Sequence, residues 1–423
     1  MRAPVEVVEI ELGEALPRLR PAPGARTGTA RALVRVHGRP LGLVDLPLAP
    51  GGLSPDGCAR LVWSELRAEI AAHLAGDGLA PVTALTADGL PTARGPAPCA
   101  AARARGRTEP LSVVIATRDR PGPLARCLAS VARLDHPAFE VIVVDNAPAT
   151  SATRDLVARE HPEVRYVRED RPGLAAAHNR GLAEAGGAIV AITDDDVTVD
   201  ARWLLEIAAG FARDPRIGCV TGLILPAELR TPAQVWADRH WGVAKGFRER
   251  LYTRPLRHLS VRPYPYTAGC FGSGANMAFR ASTLRALHGF DPGMGTGTPA
   301  RGGDDLAAFF AVIASGHALL FTPAALVWHW YAEDVDALRR QAYGYGAGLT
   351  AYLAKVVADD PIRLVDLAAR APAALAHARG LSRSRAPHDG RPADLRRLER
   401  RGMAGGAAAY TRGRLLAPRP RAA

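Results

Sequence analysis

The chain has 423 residues, 48% of them hydrophobic and 23% charged, with a formal net charge of +12. That length exceeds one usual core, so two or three domains are expected, and the apolar content excludes general disorder. Lys245 and Lys355 are the only lysines; basicity carried by arginine fits an anionic substrate or membrane surface as well as nucleic acid.

Cys58, Cys99, Cys127, Cys219 and Cys270 are far apart, odd in number and form no CxxC pair. This argues against a disulfide framework or a zinc site and for a reducing compartment. The opening MRAPVEVVEIELGE lacks the apolar core of a signal peptide, so a cytoplasmic protein is expected. Residues 1–105 are expected to form an accessory α+β unit with its linker. VEVVEIEL, ARALVRVHG and LGLVDLPL alternate as strands, with His37-Gly38-Arg39-Pro40 as a turn. Ser54-Pro55-Asp56 starts a helix whose stripe is Leu61, Val62, Leu66, Ile70 and Leu74. His73 beside that stripe is taken as structural, and nothing in this unit is expected to carry chemistry. Pro91 to Pro110 is taken as a linker.

From Leu111 strands and helices alternate, the pattern of a largely parallel α/β sheet. Strands are predicted at Leu111–Ala116, Phe139–Val144, Val164–Val167 and Ala188–Ile192, with helices between them. The last strand, in GAIVAITDDDV, delivers Asp194, Asp195 and Asp196 in succession. Three such carboxylates resist joint ionisation unless a cation sits among them, and hard oxygen donors suit Mg²⁺ or Mn²⁺ with a substrate phosphate. The plain alternative is an acidic turn before the helix near Trp203, with Asp200 as N-cap. Ligands of such sheets bind at the carboxyl ends of strands, where Thr117, Arg118, Asp145 and the three acids all fall. Leu306 to Trp328 imitates a membrane span, but Ser315-Gly316-His317 and Pro323 break it into helix, turn and strand.

LSVVIATRDRP, VIVVDNAP, GLAAAHNRGL, AITDDDV, GSGANMAFR, GGDDL and VWHW occur in the order seen in family 2 glycosyltransferases, which the chain resembles over Leu111 to Tyr331. The resemblance implies a GT-A-type nucleotide-sugar-binding α/β fold: a mixed, mostly parallel sheet flanked by helices over residues 106–331. A helical extension (332–381) and an arginine-rich, partly disordered tail (382–423) complete the expected organisation. By position Thr117, Arg118 and Asp145 resemble the nucleotide-base pocket; Asp194 would face the ribose and Asp196 the metal on the diphosphate. His178 stands where the family often has arginine, and Arg180 is carried over as a phosphate contact. Asn276 resembles the acceptor- or sugar-side loop. Gly289 to Gly303, with six glycines, is expected to be a mobile loop over donor and acceptor. The family has Glu-Asp where this chain has Asp304-Asp305, which puts the catalytic base on Asp305, with Asp304 beside it. His329 matches a histidine that completes the metal site.

The implied activity is inverting hexosyl or deoxyhexosyl transfer from a nucleotide-sugar to a glycan, lipid-linked or small-molecule acceptor, in cell-envelope polysaccharide biosynthesis. Mn²⁺ or Mg²⁺ is the implied cofactor, and no nucleic acid partner is expected. Arginines and aromatics between Leu225 and Thr267, including Arg230, Arg239, Lys245, Arg254, Arg257, Arg262, Trp236 and Trp241, form either an acceptor surface or a solvated face. A peripheral contact with an anionic inner membrane face is compatible with the charge. A nucleotidyltransferase and a non-catalytic nucleotide-sugar- or metal-binding protein remain as alternatives.

Overall fold

A computed structural model describes residues 5–91, 98–99, 101, 109–241, 245–254, 264–372 and 394–417. Most of the linker Pro91 to Pro110, Arg257, Arg262 and residues 382–393 lie outside the described residues.

The N-terminal unit pairs β1 (Val5–Glu11) parallel to β2 (Gly28–Val36), and β2 antiparallel to β3 (Arg39–Leu48). The hairpin turns on His37 and Gly38 alone, with φ of 52° and 76°. Positive φ at both residues gives the turn a twist that matches the strands. The helix Pro55–Gly76 covers the sheet, and Ser54 Oγ accepts a hydrogen bond from Gly57 N as its cap. Buried Arg35 joins this unit to the next, bridging Glu9 and Asp200 at 2.7 Å each. Leu33 packs with Leu223, Leu225, Phe321 and Leu326 across the same boundary.

The second unit is an α/β layer structure around a nine-stranded mixed sheet, as the alternation predicted. Its strands are β4 (Leu111–Thr117), β5 (Phe139–Asn146), β6 (Arg165–Glu169), β7 (Ile189–Asp194), β8 (Val197–Val199), β9 (Ile217–Pro226), β10 (Arg250–Tyr252), β11 (Asn276–Arg280) and β12 (Ala318–His329). The order is β10-β12-β9-β11-β7-β4-β5-β6, with β8 on β12. The β4–β7 segment is parallel, and β11 enters antiparallel between β7 and β9. Strands buried on both faces need the continuous apolar runs that the sequence has. No described helix is long and apolar enough to cross a membrane.

Asn276 corrects an expectation. It opens β11 rather than lying in a loop, and only 1% of it is exposed. Its amide donates to Leu223 O (2.9 Å) and Ala325 O (2.8 Å), and its Oδ1 accepts from Trp203 Nε1 (2.9 Å). The pairing of β12 with β9 slips between Thr322 and Leu326. The amide therefore satisfies carbonyls that the slipped ladder leaves over, and both of its N–H donors are engaged there. Gly222 faces the same bulge, where a Cβ would lie 1.9 Å from Ala325 O.

Asp200 also differs from expectation. The helix begins at Trp203, and the Asp200 carboxylate serves Arg202 N and Arg35 instead of capping it.

The C-terminal region holds a third correction. Residues 395–416 form a helix against the helix Val335–Asp359, where an arginine-rich, partly disordered tail was expected. Glycines bring the two backbones together. A Cβ on Gly346 would fall 2.0 Å from Glu399 O, one on Gly402 2.2 Å from Tyr343 O, and one on Gly406 2.2 Å from Ala347 O. The same helices hold the glycine-rich segment 289–303. Its Asp291 accepts from Tyr410 and Arg414 at 3.0 Å each, and Phe290, Met294 and Ala300 are buried. That segment is tied down by packing rather than standing free as a lid.

Candidate active site

The parallel register aligns three strand ends. Thr117 pairs with Asp145 across β4 and β5, and Ala116 pairs with Asp194 across β4 and β7. Asp145 is buried; its Oδ2 accepts from Tyr166 OH at 2.9 Å, and its Oδ1 has no hydrogen-bond partner among the described residues. Desolvation raises its pKa. An unmet buried acceptor calls for a donor such as a base N–H. Asp119, at φ 52°, accepts from the backbone of Ala149 and Thr150 and fixes the loop beside Asp145.

The three successive acids divide their work. Asp195 turns inward: its Oδ2 accepts from Thr117 Oγ1 and its Oδ1 from Arg120, both at 2.6 Å. Burial pushes its carboxyl up to about 6. Asp194 and Asp196 stay partly open, and their carboxylates come together with His329 so that donor atoms of all three lie within 4.8 Å of one another. His329 arrives because β12 continues past its bulge to pair with β8, setting Val197 opposite His329. His329 Nε2 is 3.4 Å from Asp196 Oδ1, and Nδ1 is buried without a hydrogen-bond partner among the described residues. Asp194 is raised well above the usual carboxylate range by burial, then by Asp196 and Asp195. Two carboxylates, an imidazole and an excess of negative charge suit a hard divalent cation, so the residues present fit Mn²⁺ or Mg²⁺.

Asp305 lies at the same rim. Its Oδ2 accepts from Gly274 N at 3.0 Å, in the turn leading into β11 beside Thr193. Burial and then Asp304 push its carboxyl up to about 6, while the amides of Leu306 and Gly274 and the nearby Lys245 oppose the shift. Tyr345, 48% exposed, presents its hydroxyl to the field of Asp305, Asp194 and Asp196.

The expected residues do not all converge. Asp304 is buried beneath Gly295, with Oδ2 3.6 Å from Nδ1 of buried His178, so it faces inward rather than toward an acceptor. Arg180 pairs with Glu184 at 2.8 Å on the exposed side of its helix and does not join the acids. Arg118 is exposed at the rim. Sequence reasoning missed Arg120, which also donates to Asp196 at 2.9 Å, and Tyr166. Arg120 sits within the quoted TRDRP, but its partners become visible only once β4 and β7 are neighbours.

Residues 112–284 match the family described as Glycosyl transferase family 2. That segment is thus similar to family 2 glycosyltransferases, in agreement with the resemblance read from its motifs. An uncharacterized protein, y4gI, of Sinorhizobium fredii is 36% identical over 116 residues, 26% of this chain and 13% of that protein. A poly-beta-1,6-N-acetyl-D-glucosamine synthase of Staphylococcus epidermidis is 20% identical over 256 residues, 57% of this chain and 55% of the synthase. The alignments therefore span only part of these relatives. Among solved structures, a mannosyltransferase from Pyrobaculum calidifontis in complex with GDP-Man and Mn²⁺ is 20% identical, covering 73% of this chain and 87% of its own, with a TM-score of 0.44.

Proposed function

We propose that the protein is a metal-assisted, inverting glycosyltransferase that moves a sugar from a nucleoside-diphosphate sugar to an acceptor hydroxyl. The carrying observation is the meeting of Asp194, Asp196 and His329 at the strand rim that also holds Asp305. Asp145 receives the base through its unpartnered oxygen, and Asp194 faces the ribose. Asp196 and His329 hold Mn²⁺ or Mg²⁺, which when bound supplies Lewis-acid stabilisation of the leaving diphosphate. Positive charge grows at the anomeric carbon as the sugar departs. Asp305 takes the proton of the attacking hydroxyl, and the Gly274 amide fixes the orientation of its carboxylate. A single displacement inverts the anomeric centre.

The half-exposed ring of Tyr345, within the electrostatic reach of the acids, is the aromatic face we assign to a glycan acceptor. A cell-envelope glycan is the acceptor class we favour, because the staphylococcal relative is named for a polysaccharide. Exposed Ile362, Leu364, Val365, Leu415 and Leu416, interspersed with Arg363 and Arg414, support a peripheral membrane contact that would admit a lipid-linked acceptor.

The test is release of nucleoside diphosphate from a panel of nucleotide-sugars with Mn²⁺ and candidate acceptors. Turnover by the wild type and its loss in Asp305→Asn, with nucleotide binding retained, would support the proposal. Binding of a nucleotide-sugar with neither transfer nor hydrolysis would favour a non-catalytic binding protein.

A further inference from the structure

The N-terminal unit, expected to carry no chemistry, brings four metal-ligating side chains to one point. His37 stands on the hairpin turn, and Glu11 holds that turn by accepting from His37 N (2.9 Å) and Gly38 N (2.7 Å). His73 and Asp77 lie four residues apart at the end of the helix Pro55–Gly76, a spacing that places them on one face. Cys99 comes from beyond the helix, and its backbone N donates to Asp77 Oδ1 at 3.0 Å. That bond orients the carboxylate so that Oδ2 points into the cluster, as a second shell does for a metal ligand.

The separations are those of a coordination polyhedron. Asp77 Oδ2 is 2.9 Å from His37 Nδ1 and 3.3 Å from His73 Nε2. The two imidazole nitrogens are 3.2 Å apart, and Cys99 Sγ is 3.7 Å from His37 Nδ1 and 4.0 Å from His73 Nε2. All four donor atoms lie within 4.8 Å of one another. A tetrahedral zinc ion with bonds of about 2.0–2.3 Å has ligand–ligand edges of roughly 3.3–3.8 Å. Hydrogen bonding accounts for the cluster less well. His37 Nδ1 carries at most one proton, yet a carboxylate oxygen, a second imidazole nitrogen and a sulfur all converge on it.

We propose that His37, His73, Asp77 and Cys99 form a structural Zn²⁺ site that staples the Cys99 segment to the helix and hairpin. Nitrogen and thiolate donors select zinc over the hard cations suited to the Asp194, Asp196 and His329 cluster. Four protein donors leave no open coordination position, which makes the site structural rather than catalytic. The hairpin it fixes abuts the glycosyltransferase domain. A Cβ on Gly38 would fall 1.3 Å from the Arg202 guanidinium, so the turn has no slack against that side chain.

The test is elemental analysis of full-length protein carrying Asp196→Asn, purified without added metal, so that the other cation site does not contribute. About one zinc per chain is expected for a closed four-ligand site. Cys99→Ser and His73→Asn, each in that background, should lose it. Loading with Co²⁺ should give a thiolate charge-transfer band that Cys99→Ser abolishes. Because these substitutions also perturb packing, the metal content of the Asp196→Asn protein decides first. Protein that contains no zinc and takes up neither Zn²⁺ nor Co²⁺ would overturn the proposal. So would zinc that persists undiminished in both ligand variants.

Discussion

The guanidinium of Arg120 donates to Asp196 Oδ2 at 2.9 Å while its other nitrogen holds Asp195 at 2.6 Å. One arginine thus supplies the counter-charge for the acidic strand end and also competes with a cation for Asp196. Arg120→Gln should lower the stability of the metal-free protein by about 1 kcal/mol, because the guanidinium is half exposed and its ion pairs are screened by solvent. It should also raise the affinity for Mn²⁺. Calorimetric titration checks this, and weaker Mn²⁺ binding would contradict the counter-charge role.

Asp305→Asn keeps the shape and the Gly274 contact but cannot take a proton. A general base contributes on the order of 10²–10⁴-fold, so kcat should fall by that factor with little change in donor binding. Because burial holds the carboxyl at about 6, kcat/KM of the wild type should fall as pH drops through about 6. A rate independent of pH between about 5 and 7 would exclude Asp305 as the base.

Asp194, Asp195 and Asp305 are all raised by burial, so over that range the folded protein binds more protons than the unfolded chain. Their contribution is therefore fully present at low pH and is lost as pH rises through the folded-state values. A cation reverses this by preferring the ionised carboxylates. The rise in Tm on adding Mn²⁺ should accordingly be larger near about pH 7.5 than near about pH 5. An equal or smaller rise at the higher pH would refute the assignment.

Asn276→Ala strands Leu223 O, Ala325 O and the Trp203 indole N–H in the core. With each unsatisfied group costing about 1–3 kcal/mol, the variant should lose roughly 3 kcal/mol or more. Denaturant unfolding measures it. A loss below about 1 kcal/mol would mean that the bulge is held by other contacts.

Much of this was legible in the sequence because strand ends are marked locally. The apolar runs ending at Thr117, Asp145 and Asp194 fixed both the strands and the rim on which their polar residues meet. Asn276 was not legible: glycines around it suggested a loop, while its partners lie on strands made neighbours only by the slipped register of β12. The helix Leu395–Leu416 was hidden by its arginines. Its buried face is mostly glycine, Gly402, Gly406 and Gly413 beside only Leu395 and Tyr410, so few large apolar residues mark it. The cluster of His37, His73, Asp77 and Cys99 was missed because it uses one cysteine and no CxxC spacing.

The most direct test of the account is Mn²⁺ binding followed by electron paramagnetic resonance, in the presence of a nucleoside diphosphate. Wild-type protein should take up the ion, and Asp196→Asn and His329→Ala should each weaken uptake at least about tenfold, the loss that removing even an outer-shell partner of a ligand causes. Uptake unchanged in both variants would show that the ends of β7 and β12 do not hold the cation, and the proposed catalytic centre would fall with them.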